Sequence, residues 1–122
     1  MTTTRRLLAI DDDPDFADLV AQVAGQLGYA AVATTVPADF MAQYLGAPPD
    51  VIVMDIVMPE QDGIDLMRWL VAQGCRARIV IVSGYNPAFA NAAKLIGEFG
   101  GRIDITYLQK PVKLDDLRAA LA

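Results

Sequence analysis

Val51-Ile52-Val53-Met54-Asp55 runs four apolar residues into one carboxylate, and the turn formers Met58-Pro59-Glu60-Gln61-Asp62-Gly63 follow shortly after. A short apolar run bounded by turn signals predicts a strand buried on both faces, as in a parallel sheet. The acid at its carboxyl end then stands where open α/β sheets receive their ligands. Taken alone, Asp55 reads equally well as an aspartate that opens a turn before Pro59.

The same punctuation recurs outward from this stretch. Leu7 to Ile10 reads as a first strand ending in Asp11-Asp12-Asp13-Pro14. Asp13 is placed to cap a helix whose first residue is Pro14. Phe16, Leu19, Val20, Val23, Ala24 and Leu27 then recur at helical spacing, and Gly28 is the stop. Tyr29 to Ala33 reads as a second strand. Pro37 to Leu45 reads as a short helix with Phe40, Met41, Tyr44 and Leu45 inward, closed by Gly46. Beyond the opening stretch, Ile64 to Gln73 is expected to be helical, with Ile64, Met67, Trp69, Leu70 and Val71 on its apolar face and Gly74 as its end. Arg78 to Ser83 is a fourth buried strand, and Gly84 to Pro87 a turn. Phe89 to Phe99 is a weakly patterned helix broken by Gly100-Gly101. Ile103 to Leu108 is a fifth strand, Lys110-Pro111 a turn, and Leu114 to Leu121 a final amphipathic helix. Five alternations of strand and helix predict an α/β fold, a parallel sheet with helices on both faces.

Bulk properties narrow the function. A chain of 122 residues reads as one domain, and 54% hydrophobic residues suffice for a real core. The net charge of -5 and the scattered Lys and Arg argue against a nucleic-acid surface. With no histidine, His-based triads and most catalytic zinc sites are excluded. The lone Cys75 allows no internal disulfide and reads as a loop or helix-end thiol in a reducing compartment. The start is too short for a signal peptide, and no apolar run approaches the roughly 20 residues of a membrane span. A cytoplasmic domain acting on protein partners is expected.

In a parallel sheet the carboxyl ends of all strands lie on one edge. There the first strand would bring Asp11 and Asp12, the third Asp55, the fourth Ser83, and the fifth is followed by Lys110. The second offers only Thr34 and Thr35, which read as a plain strand end. If the first and third strands are neighbours, three carboxylates meet and repel one another. A hard dication such as Mg²⁺ compensates, Lys110 adds a positive charge, and Ser83 adds a hydroxyl donor. Such a set suits phosphoryl transfer, in which a carboxylate can itself be the nucleophile. Asp13 is better read as the helix cap. Met54, Met58 and Met67 read as packing.

These residues carry a resemblance. Leu8-Ala9-Ile10-Asp11-Asp12-Asp13-Pro14, Val53-Met54-Asp55-Ile56-Val57-Met58-Pro59 with Asp62-Gly63, Val82-Ser83-Gly84, and Tyr107-Leu108-Gln109-Lys110-Pro111 resemble, in order, the motifs of response-regulator receiver domains. These are the CheY-like phosphoacceptor modules of two-component phosphorelay signalling. The resemblance implies a doubly wound, flavodoxin-like three-layer sandwich with strand order 2-1-3-4-5. It implies that Asp55 accepts a phosphoryl group from a phosphohistidine, forming an aspartyl phosphate. It assigns Mg²⁺ to Asp12, Asp55 and the Val57 backbone carbonyl, with Asp11 acting through a water. Lys110 would pair with one phosphoryl oxygen, with a cis bond to Pro111, and Ser83 would bond another. Tyr107, otherwise readable as strand packing, would be the aromatic that follows Ser83 in the switch. The implied partners are a sensor histidine kinase or phosphotransfer protein, a downstream target or fused output domain, and a second copy of the chain. Neither nucleic acid nor membrane is implied as a direct partner.

The chain departs from the family in a longer segment between Ser83 and Lys110, enlarged at Gly84-Tyr85-Asn86-Pro87 and at Glu98 to Arg102. Val57 and Tyr85 occupy the two variable positions flanking the site, where they are expected to slow hydrolysis of the phosphoryl group. With no helix-turn-helix or basic patch in view, a stand-alone receiver or a receiver portion of a longer protein is expected. The resemblance implies a module that modifies itself, and so not an enzyme in the ordinary sense. The alternative is a scaffold of the same fold that signals without phosphorylation. A flavodoxin-like cofactor binder is disfavoured by three aspartates where a flavin phosphate would sit. A haloacid-dehalogenase-type phosphatase lacks its expected threonine near Pro14, Asp15 and Phe16.

Overall fold

The computed structural model describes residues 4–56, 63–84 and 87–122. The elements alternate as β1 (Arg6–Ile10), α1 (Pro14–Gln26), β2 (Ala30–Thr34), α2 (Pro37–Gly46), β3 (Val51–Met54), α3 (Gly63–Ala72), β4 (Arg78–Ser83), α4 (Pro87–Leu95), β5 (Ile105–Gln109) and α5 (Leu114–Leu121). The strands form one sheet in the order β2-β1-β3-β4-β5, and each neighbouring pair is parallel. This is the doubly wound order that the motifs imply.

The period-2 alternation of the strands divides the core into two layers. Leu8, Ile10, Ile52, Met54, Ile79 and Ile81 face one side, where Phe40 and Tyr44 of α2, Leu66, Met67 and Leu70 of α3, and Ala90 and Ala93 of α4 cover them. Leu7, Ala9, Val51, Val53, Val80 and Val82 face the other, under Val20, Val23 and Ala24 of α1 and Leu117 and Leu121 of α5. Full burial of each large side chain contributes about 1.5–3 kcal/mol, so the two apolar layers lock the register of every strand.

Several expectations shift. Leu45 is 62% exposed, because α2 presents Phe40 and Tyr44 to the sheet and Leu45 lies round its side. Leu19 of α1 and Leu27, which caps its end, are likewise exposed, whereas Ala17, not picked out by the pattern, is buried. On α3, Leu66 is fully buried beside Met67 and Leu70, while Ile64, Trp69 and Val71 are only partly covered. Pro87 begins α4 instead of belonging to a turn, as a proline suits the first helical position. The α4 helix then runs on into a π turn over Ile96–Gly100, which takes up part of the long segment before β5. The Ile103 N–H donates to the Gly97 carbonyl across that turn (3.1 Å). Ile103 therefore stays out of the ladder, and β5 starts at Ile105.

At the amino-terminal edge of the sheet, α5 is fastened by two distant side chains. The Tyr29 hydroxyl donates to the Leu121 carbonyl (2.7 Å), and the Arg78 guanidinium donates to the Ala120 carbonyl. At the other end of α5, Lys113 holds the cap position with no side-chain hydrogen bond. Among the described residues, no helix is long and apolar enough to cross a membrane.

Candidate functional site

The opposite, carboxyl edge of the sheet gathers the candidate residues. β1 and β3 are hydrogen-bonded neighbours, and the Asp55 N–H donates to the Ile10 carbonyl (3.0 Å). Asp55 is thereby set beside Asp11 and Asp12. One carboxylate oxygen from each of the three lies within 4.8 Å of the others. Asp11 and Asp55 are buried and Asp12 is exposed.

Backbone and side-chain contacts fix each member. Asp13 caps α1 by accepting the Asp15 N–H (3.0 Å), and its own N–H donates to Asp11 Oδ1 (2.9 Å). Asp13 thus takes the capping role, and the turn it makes orients Asp11 inward. The Thr34 hydroxyl donates to the Ala9 carbonyl (2.6 Å), a strand-end bond with no place in the acidic cluster. The Gly63 N–H donates to the Ile56 carbonyl (2.6 Å). A Cβ at Gly63 would come within 2.5 Å of Ile56 Cα and 2.9 Å of the Asp55 carbonyl oxygen. Only glycine lets α3 start so close behind the acid.

Lys110 reaches in from beyond β5. Its ammonium lies 2.7 Å from Asp11 Oδ2 and 3.6 Å from Asp55 Oδ2. Its backbone N–H donates to the Ser83 carbonyl (3.0 Å), which seats the end of β5 beside that of β4. The Lys110–Pro111 peptide is cis, in line with the motif. Ser83 is buried at the end of β4. Tyr107, half-buried on β5, brings its hydroxyl to 3.5 Å from the Ser83 carbonyl, a long contact. Val57 and Tyr85 lie outside the described residues.

The charges are strongly coupled. Burial pushes the Asp11 carboxyl above its usual range, and Asp12 pushes the same way. The hydrogen bonds from Lys110 and the Asp13 N–H only partly offset this. For Lys110, burial disfavours the ammonium, but the hydrogen bond to Asp11 and the charges of Asp11, Asp55 and Asp12 outweigh it and hold the pKa above the ordinary lysine value. Three carboxylates against one ammonium leave excess negative charge. Hard oxygen donors in that arrangement fit Mg²⁺.

One neighbour was not singled out by the sequence. The Phe16 ring of α1 lies under Lys110, with Nζ 4.5 Å from its centroid. Helical spacing marks Phe16 only as apolar, and nothing in the pattern pairs it with a lysine 94 positions later.

Comparisons with known proteins bear on the family and the fold. A family model described as the response regulator receiver domain matches residues 7–122. The acid tolerance regulatory protein ActR of Rhizobium meliloti is 32% identical over 119 residues, covering 96% of this chain and 58% of its own. Protein Rrf1 of Nitratidesulfovibrio vulgaris is 32% identical over 82 residues, covering 66% of this chain and 59% of its own. The chain therefore spans somewhat less than two thirds of these relatives. Among solved structures, the chemotaxis protein CheY4 of Vibrio cholerae superposes with a TM-score of 0.82 at 21% identity, covering 98% of this chain and 97% of that one. At that identity the likeness concerns the fold.

Proposed function

Because the chain belongs to the response regulator receiver domain family, we propose that Asp55 accepts a phosphoryl group from a phosphohistidine on a partner protein. One observation carries this reading: Asp11, Asp12 and Asp55 converge within 4.8 Å, with the Lys110 ammonium among them. An Asp55 carboxylate oxygen attacks phosphorus and forms the P–O bond. The P–N bond to the donor imidazole breaks, and that imidazole takes up a proton. No protein base is needed, because a carboxylate attacks as the anion and has no proton to lose.

Asp12 and Asp55 would hold Mg²⁺ directly, with Asp11 holding one of its waters. When bound, Mg²⁺ supplies charge neutralisation on the transferring phosphoryl oxygens. The Val57 carbonyl, the third direct ligand implied by the motif, falls outside the described residues. Lys110 leaves Asp11 to pair with one phosphoryl oxygen, and the Ser83 hydroxyl donates to another. Ser83 is drawn toward Asp55, and Tyr107 follows into the space it vacates, a local charge event that biases a two-state surface. The changed surface then acts on a downstream target or a fused output domain in the cytoplasm. The protein modifies itself and turns over no separate substrate.

Beryllofluoride, an analogue of the phosphoryl group, tests the reading. A Mg²⁺-dependent adduct that disappears in Asp55→Asn is expected. Signalling to a partner that persists in Asp55→Asn, with no adduct in the unaltered protein, would instead establish the phosphorylation-independent scaffold.

A further inference from the structure

The Lys110 ammonium has a neutral neighbour as well as its acids. It stands 4.5 Å over the centroid of the Phe16 ring, while reaching Asp11 at 2.7 Å and Asp55 at 3.6 Å. Phe16 sits in the first turn of α1, half-buried against the core layer shared by α1 and α5. It is the only aromatic residue of that helix, whose fully buried positions are Ala17, Val20, Val23 and Ala24. Core filling at this place asks only for an apolar side chain, and an aliphatic one would serve.

The geometry points to Phe16 as a positioning residue for Lys110, whose ammonium it holds over the acidic edge by a cation–π contact while the lysine passes from Asp11 to a phosphoryl oxygen on Asp55. This inference rests on the phosphoacceptor reading above. Lysine is a point charge on a flexible stem, and holding it in one place costs rotamer entropy. Its hydrogen bond to Asp11 must break before it can serve a phosphoryl group. A ring face attracts the ammonium without binding it at a single atom, so the charge can slide across it and remain attracted throughout. The Lys110 side chain is 25% exposed. This partial loss of water makes the contact stronger than it would be on an open surface.

Three substitutions separate positioning from packing. Phe16→Leu keeps apolar bulk and removes the ring face, whereas Phe16→Tyr and Phe16→Trp keep it. Two quantities are read on each folded variant: the proton shifts of the Lys110 ε-methylene, and the affinity for beryllofluoride with saturating Mg²⁺. The unaltered protein is expected to show ring-current upfield shifts at Lys110. Phe16→Leu should abolish them and weaken beryllofluoride binding about fivefold, equivalent to ~1 kcal/mol. Phe16→Tyr or Phe16→Trp should restore both. The inference is overturned if Phe16→Leu leaves the shifts and the affinity unchanged, or if neither aromatic variant rescues what Phe16→Leu loses. If the unaltered protein forms no adduct, the phosphoacceptor reading fails instead, and the Lys110 resonances then decide the Phe16 contact by themselves.

Discussion

The Lys110 ammonium hydrogen-bonds Asp11 at 2.7 Å, closer than it stands to Asp55. This lysine compensates the buried acid that follows β1 and stands within ion-pair distance of Asp55 as well. Removing it takes away the ammonium that stands 2.7 Å from Asp11 and 3.6 Å from Asp55. Lys110→Met should therefore lose about 1–3 kcal/mol of stability at neutral pH. Millimolar Mg²⁺ should recover more stability in this variant than in the unaltered protein, because the dication takes over the missing compensation. Urea unfolding with Mg²⁺ and with EDTA measures both differences. Equal recovery in the two proteins would separate the acid cluster from the metal.

Gly63 joins stability to the site. A Cβ there meets backbone atoms of Ile56 and Asp55, which cannot swing aside as a side chain end would. Gly63→Ala should cost about 1–3 kcal/mol as an overpacking change. It should also weaken beryllofluoride binding, since the residue it displaces is Asp55. Unfolding midpoints and adduct formation are expected to fall together.

Far from the acids, Tyr44 and Cys75 give the fold an alkaline limit. Tyr44 is buried against Trp69, edge to face at 5.4 Å. Burial first, and the neighbouring Cys75 second, push its hydroxyl from 10.0 up to about 12. Burial also pushes up the Cys75 thiol, partly opposed by its hydrogen bonds. The folded chain then keeps protons that the unfolded chain releases, so stability falls as pH rises from about 9 or 10 toward 12. The Tyr44 share is on the order of 2 kcal/mol. Urea midpoints read by circular dichroism should decline across that range, and Tyr44→Phe should flatten the decline.

Tyr29→Phe removes a buried hydrogen bond of 2.7 Å to the Leu121 carbonyl. A cost of about 1–2 kcal/mol is expected from the abandoned acceptor. Because Tyr29 lies at the sheet edge away from Asp55, beryllofluoride affinity should stay unchanged while the unfolding midpoint drops.

The fold was legible in the sequence because each strand of this sheet is a short apolar run ended by a turn former, as Val51 to Asp55 is. The gathering of Asp11, Asp12, Asp55 and Lys110 followed from strand ends together with the strand order that the resemblance implied, since a parallel sheet sends its strand ends to one edge and that order makes β1 and β3 neighbours. What escaped the sequence depends on side-by-side packing. Leu45 continues the apolar pattern of α2, yet the sheet has no surface left for it. Ile103 looks like strand, but its N–H is taken by the π turn after α4. Phe16 packs against the core and also lies under Lys110, and periodicity reports only the first. Gly63 matches a motif letter, but the reason for the letter is a backbone contact visible only in three dimensions.

The two ends of α5 are held unequally. Tyr29 and Arg78 fasten its last carbonyls at one edge of the sheet, whereas its start, just past Lys110 and Pro111, lacks any side-chain cap. Fraying of α5 from its last turn has to break two hydrogen bonds to side chains far off in the sequence, whereas fraying from its first turn breaks no side-chain cap. Amide exchange should therefore be faster at the start of this helix than at its end.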